Sequence, residues 1–357
     1  MQWDYRNLRP ELQDLVNNIL ASVATGKAKD AVNLVSEAFQ TVKAPELICV
    51  DSGIKKVEKK EKAPFGLVDS FVMAMALGSN GKYIRADDLT WHDKTPILVR
   101  GLGKTKIIKR CIEEKRDFYF MDTGYLGNNP SPMNPNGKKT YHRIVKNGLQ
   151  NIHMPARDRI EDHVLPSSHP LREPGDSIDV AQRKLDANLL IKAPQHYSGE
   201  RWKRLGIQFK DWKPGRKILV VPPSQKVMKY FELDLDIWIE NTIMLIGKHT
   251  QRPIELRRKP SREDRVSVNT MEQAMADDVH CMVTFNSIAA LEAMVYGVPA
   301  IVLGPNCAQD LCDKNLERIE FIKHPGRKQL TWLCRYLANN QFVYDEMLSG
   351  FAWSRVK

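Results

Sequence analysis

The sequence predicts an α/β protein built from two Rossmann-like domains that face a cleft. Three observations lead there. Short apolar runs suited to buried strands alternate with glycine- or proline-marked turns and helical stretches, the pattern of βαβ units in a parallel sheet. The alternation occurs twice, on either side of an Asn-, Pro-, Arg- and His-rich stretch over residues 128–203. A chain of 357 residues is also too long for one small module and suits two medium domains.

The elements follow in order. Leu12, Leu15, Val16, Ile19, Leu20 and Val23 recur at helical spacing, and residues 31–42 form a second such stretch before Pro45. Residues 47–50 read as a short buried strand, 55–62 as a solvated mixed-charge loop, and 69–77 as an apolar helix or strand stopped by Gly78-Ser79-Asn80-Gly81. Residues 96–99 suit a strand, Gly101-Leu102-Gly103 a turn, 104–114 a helix and 118–121 the next strand, with Asp122-Thr123-Gly124 at its carboxyl end. After the polar stretch, strands are expected at 218–221, 253–256, 281–284 and 299–303, and helices at 235–246, 270–276 and 287–296. The expected domains are residues 1–205, with a helical start and a long insertion, and residues 206–357.

Composition narrows the function classes. Hydrophobic residues make up 42% and charged residues 27%, enough to bury cores and remain in solution, which excludes collagen-like, coiled-coil and wholly disordered chains. No uncharged apolar run approaches the roughly 20 residues of a membrane span. Residues 1–10 carry charge and no apolar core of a signal peptide, so an intracellular, cytoplasmic protein is expected. Fifty-four Lys and Arg against 43 Asp and Glu give a net charge of +11, which fits either a solvated basic surface or a polyanionic partner. The six cysteines, Cys49, Cys111, Cys281, Cys307, Cys312 and Cys334, include no Cys-x-x-Cys pair, and the histidines do not cluster, so buried free thiols are expected and no metal.

The most informative segment runs from Val283 to Leu303. A strand ends at Thr284, and Asn286 and Ser287 are expected to open a helix, presenting free backbone amides and two small polar side chains suited to phosphate. Glu292 lies five residues after Ser287, Gly297 stops the helix, and Pro299 leads into the next strand. Read alone, Asn286 could be an ordinary N-cap and Glu292 a solvated helix residue. Together, Asn286, Ser287, Glu292, Gly297 and Pro299 resemble the donor-binding region of GT-B glycosyltransferases of the capsule and lipopolysaccharide type. The resemblance is specific over residues 270–303. It implies that the Asn/Ser turn faces the donor diphosphate and that Glu292 contacts ribose hydroxyls. It further implies a nucleoside-diphosphate sugar donor, with UDP-sugar favoured, and no required metal. Ser224 and Gln225, at the end of the expected first strand of this half, join the donor site, and Glu255-Leu-Arg-Arg-Lys-Pro260 resembles a basic strand end that neutralises the diphosphate through Arg257 or Lys259. Relatives often carry His where Lys259 stands. An exposed basic cluster is the plain alternative.

In the first half, Arg100-Gly-Leu-Gly-Lys-Thr105 imitates the end of a phosphate-binding P-loop, but the first glycine of that pattern is replaced by Leu98 and too few residues separate Lys104 from Asp122. The better reading is a glycine turn at the switch point of the first sheet, where Gly101 and Gly103 let a ligand approach and Lys104 and Lys106 supply charge. Asp122 is the candidate catalytic base for an acceptor hydroxyl, with Asp51, Asp69 and His142 as alternatives and a turn-capping role as the plain reading. Lys104, Lys106, Tyr141, His142, Arg143 and Lys146 mix aromatic and basic groups that could line a nucleic-acid groove, as Lys138, Lys139 and Asn147 could, or form a solvated loop. The run from Asp122 to Asn147 resembles uncharacterised phage-encoded glycosyltransferases. The resulting expectation is a glycosyltransferase acting on hydroxymethylpyrimidine in double-stranded phage DNA. The alternatives are a polysaccharide or lipid-glycan acceptor and a non-catalytic nucleic-acid-binding protein.

Overall fold

A computed structural model describes residues 45–51, 69–127, 141–151, 199–259 and 270–357. The helices expected within residues 1–44, the loop at 55–62, Lys138 and Lys139, and most of the polar stretch lie outside them. The chain is a mixed α/β protein with two sheets. In chain order the elements are β1 (Ile48–Val50), α1 (Ser70–Gly78), β2 (Lys82–Ile84), β3 (Ile97–Arg100), α2 (Thr105–Glu113), β4 (Phe118–Thr123) and β5 (His142–Lys146). Then come α3 (Gly199–Arg204), β6 (Lys217–Val221), α4 (Gln225–Tyr230), α5 (Leu235–Gly247), β7 (Ile254–Leu256), α6 (Met271–Ala276), β8 (Val279–Thr284), α7 (Ala289–Val295), β9 (Ala300–Val302) and α8 (Arg327–Asn339). The chain closes with β10 (Gln341–Phe342), α9 (Tyr344–Leu348) and α10 (Phe351–Val356).

These elements form two compact units, and the division does not fall at one point near residue 206. The first unit holds the described residues 45–51, 69–124, 141–149 and 341–357; the second holds 125–127, 150–151, 199–259 and 270–340. The carboxyl-terminal segment joins the first unit because β10 pairs antiparallel with β5, through Gln341 with Arg143 and Phe342 with His142.

The first unit carries a six-stranded sheet in the order β10-β5-β4-β3-β1-β2, whose strands β2, β1, β3 and β4 run parallel. Residues 69–77, ambiguous in sequence, form α1, capped by the Asp69 carboxylate accepting from the Val72 amide. α1 is apolar nearly throughout because it is packed between elements: Val72, Met75 and Leu77 meet Cys49, Leu98, Tyr119 and Met121 of the sheet and Phe342, Met347 and Trp353 of the closing segment. β2 and β5 were not legible as strands. β5 carries His142 and Arg143, which read as polar loop residues but are buried.

The second unit carries a four-stranded, wholly parallel sheet in the order β7-β6-β8-β9. All six residues of β8 are buried, as expected of a parallel strand covered on both faces. Leu219, Met282, Ala300 and Val302 pack on one face with α6, α7 and α8, and Ile218, Val220, Cys281, Val283 and Ile301 pack on the other with Ile246 of α5. All six cysteines are free, and five are buried. No helix among the described residues is long and apolar enough to cross a membrane.

Candidate functional site

In an open α/β sheet, ligands settle beyond the carboxyl ends of the strands, where the strand order reverses direction. In the second unit that point lies between β6 and β8, since the chain moves from β6 outward to β7 and then returns to the far side as β8. β6 ends at Pro222-Pro223-Ser224 and β8 at Phe285-Asn286-Ser287, so the sequence motif stands at the switch point. Thr284 does not face a ligand: its hydroxyl donates to the Val221 carbonyl at 2.6 Å and ties the two strand ends together.

The Asn286–Ser287 turn differs from a helix cap. α7 begins at Ala289, two residues later than its sequence suggests, and its N-cap is Ile288 in helical conformation with no side-chain cap. Ser287 Oγ accepts from the Ala289 amide at 3.3 Å, and the Ala290 amide reaches the Ser287 carbonyl at 3.2 Å. Two buried side chains hold the turn. Gln150 donates from Nε2 to the Asn286 carbonyl at 2.6 Å and accepts at Oε1 from the Cys307 amide at 2.9 Å. Asn306 donates to the Ser287 carbonyl at 2.9 Å and accepts from the Ala308 amide at 2.9 Å. With the carbonyls fixed inward, the Ser287 and Ile288 amides donate to no acceptor among the described residues. Asn286 is only 5% exposed and its carboxamide bonds to none of the described residues, but its polar atoms are not sealed from solvent and stand open at this edge. A carboxamide and two amides left open at a switch point suit a hydrogen-bonding ligand.

Sequence reasoning missed Gln150 and Asn306. Asn306 follows Gly304-Pro305 at the end of β9, a local signal that could have drawn notice; Gln150 is distant in sequence and carries none. A leucine at position 150 would strand a buried carbonyl and a buried amide, and we expect a stability loss of about 2 kcal/mol by chemical denaturation.

The remaining donor-site candidates lie along the same edge. Ser224 is the N-cap of α4, but its hydroxyl makes no capping bond, and Gln225 is exposed in the first turn. Arg257 leaves β7 at its carboxyl end, its amide held by the Val220 carbonyl at 2.9 Å. Its guanidinium is close enough to favour ionised Glu292, but burial prevails and pushes the Glu292 carboxyl up to about 7. The two form no direct ion pair among the described residues. Arg258 pairs with Asp236 at the surface, and Lys259 is exposed.

The first-unit candidates separate into different roles. Asp122 pairs with Arg143 Nη2 at 3.0 Å and accepts from the Thr123 amide at 2.8 Å, with its side chain 41% exposed. Arg143 is saturated, donating also to the Leu149 and Thr123 carbonyls. His142 is buried against Phe71, with ring centroids 4.0 Å apart, and Lys146 pairs with Asp117 at 3.1 Å. The expected nucleic-acid groove is therefore corrected at these positions: His142 and Arg143 lie inside β5, and Lys146 is engaged. Tyr141 is half-buried, Lys104 half-buried and Lys106 exposed. Among the described residues no group of three or more His, Cys, Asp or Glu has a metal-holding arrangement.

No family model matches the chain, and no curated protein matches it in sequence. Among solved structures it is similar to KpsC of Thermosulfurimonas dismutans, in two forms. The β-Kdo 2,4 transferase aligns at 9% identity and a TM-score of 0.35, covering 77% of this chain and 93% of that one. The β-Kdo 2,7 transferase aligns at 10% identity and a TM-score of 0.38, covering 79% of this chain and 96% of that one. At such values the site stands on its own geometry.

Proposed function

We propose that the chain is a glycosyltransferase that takes a nucleoside-diphosphate sugar, most simply a UDP-sugar, at the carboxyl edge of its four-stranded sheet. One observation carries the reading: the Ser287 and Ile288 amides and the Asn286 carboxamide, none bonded to another described residue, stand together at the switch point between β6 and β8. Donors fixed in this way suit diphosphate oxygens and the charge that grows on them as the sugar leaves. Arg257 supplies the positive charge, joined by Lys259, while Ser224 and Gln225 line the opposite strand end. Glu292, once ionised, accepts from the ribose hydroxyls.

In transfer, the acceptor oxygen attacks the anomeric carbon, the bond from that carbon to the diphosphate oxygen breaks, and a base receives the hydroxyl proton. Asp122 is the proposed base, because its carboxylate is accessible, whereas the Asp69 side chain is 1% exposed and bound by Arg100. For the acceptor we favour a glycan hydroxyl over hydroxymethylated DNA, since His142 and Arg143 are buried in β5 and Lys146 is paired with Asp117, which takes three basic residues from the groove that favoured DNA.

The test is a thermal-shift panel of UDP-, GDP-, ADP- and CMP-sugars. We expect one nucleotide class to raise the melting temperature, and Ser287→Ala and Glu292→Ala to remove the shift; a panel with no response from the native chain would refute the reading.

A further inference from the structure

The six-stranded sheet has a switch point of its own. The chain moves from β1 outward to β2 and returns on the other side as β3, so the carboxyl ends of β1 and β3 flank the crevice position of this sheet. β1 ends at buried Asp51 and β3 at Arg100. Three arginines are packed into this unit, and two of them are spent on protein acceptors. Arg143 donates from all three nitrogens to Leu149, Thr123 and Asp122, and Arg116 donates from all three to the carbonyls of Thr95 and Thr90. Arg100 differs. Its Nη1 reaches both oxygens of Asp69 at 3.0 Å, its Nη2 lies 3.0 Å from His142 Nε2, and its guanidinium covers the Phe71 ring at 5.0 Å. A guanidinium only donates, so His142 accepts at Nε2 as a neutral imidazole. No acceptor among the described residues takes the Arg100 Nε–H, and the side chain is 34% exposed.

The backbone next to it is open. Gly101 turns the chain with φ +66°, and a Cβ built on Gly101 or Gly103 meets no atom of the described residues within 4 Å. Lys104 follows. A guanidinium fixed on three sides, with its ε edge uncommitted beside an unobstructed glycine turn, is preorganised to receive an oxyanion, because its planar fork matches carboxylate and phosphate alike. We infer that Arg100, with Gly101, Gly103 and Lys104, forms a binding site for an oxyanion-bearing ligand, a carboxylate or a phosphate, at the switch point of the first unit. The inference is independent of the nucleotide sugar assigned to the second unit.

Calorimetric titration at low salt tests it, with inorganic phosphate and acetate as separate probes. At least one probe should bind the native chain, phosphate alone indicating a phosphorylated ligand and acetate alone a carboxylated one. Arg100→Gln should weaken that binding about tenfold or more. Since Arg100→Gln also unpairs buried Asp69, Gly103→Glu provides a second variant that should preserve the fold and place a repelling carboxylate in the site. Phosphate also suits the donor edge of the second unit, so Arg257→Gln is the background in which both probes are titrated, and the heat it leaves should be the part that Arg100→Gln removes. The inference is overturned if neither probe binds the Arg257→Gln chain, or if adding Gly103→Glu leaves its binding unchanged.

Discussion

Gly297→Ala is expected to destabilise the second unit by roughly 4 kcal/mol, combining the left-handed penalty of an L-residue with a backbone collision. Gly297 ends α7 at φ +80°, and a Cβ there would lie 2.5 Å from the Asp211 carbonyl oxygen and 2.9 Å from its carbon. Neither neighbour can swing aside as a flexible side chain could, since the adjoining Lys210 amide is held by the Val295 carbonyl at 2.9 Å. Gly297 also sets the angle at which the chain leaves α7 for β9, so the loss should reach the Asn286–Ser287 turn. At 2–4 °C per kcal/mol for a body of this size, the melting temperature should fall by about 8–16 °C. A variant that melts with the native chain would show that this corner is not built as described.

Glu292→Gln is expected to be more stable than the native chain by about 3 kcal/mol near pH 8 and no more stable near pH 4. The sign follows from the raised carboxyl. Burial lifts Glu292 from its ordinary 4.5 to about 7, so the folded chain holds its proton more tightly than the unfolded chain does. Native stability therefore falls as pH rises from about 4.5 to 7, and the penalty is complete above that. A glutamine never ionises and escapes it. The same residue gives nucleotide binding the opposite trend. Ribose hydroxyls donate to the ionised carboxylate, so affinity for the nucleotide should rise across the pH range near 7, and that rise should be absent in Glu292→Gln. Paired urea melts and binding isotherms at both ends of the range check the two slopes.

The second sheet was legible because its signals are local. The strand ending at Thr284, the small polar turn, the apolar helix and Gly297 before Pro299 lie within one short span, and each dictates its own backbone. The helix start was placed two residues early because Asn286 and Ser287 have cap chemistry, while the fold uses Gln150 and Asn306 to hold them outside the helix. In the first sheet, β5 was hidden by His142 and Arg143, whose burial is satisfied by Arg100, Asp122 and the Thr123 carbonyl, all remote in sequence, and by the nearby Leu149 carbonyl. The same remoteness concealed the Arg100 cluster and the return of the chain end to the first unit, since Gln341 and Phe342 give too short a run to read as a strand.

Amide hydrogen exchange with and without the stabilising nucleotide sugar tests the donor site most directly. Slowed exchange is expected in peptides covering Ser224–Gln225, Arg257 and Ser287–Glu292, with the Ser287 and Ile288 amides, which bond to no acceptor among the described residues, changing most. Protection confined to other strands, or a bound nucleotide that leaves those two amides exchanging as before, would contradict the account.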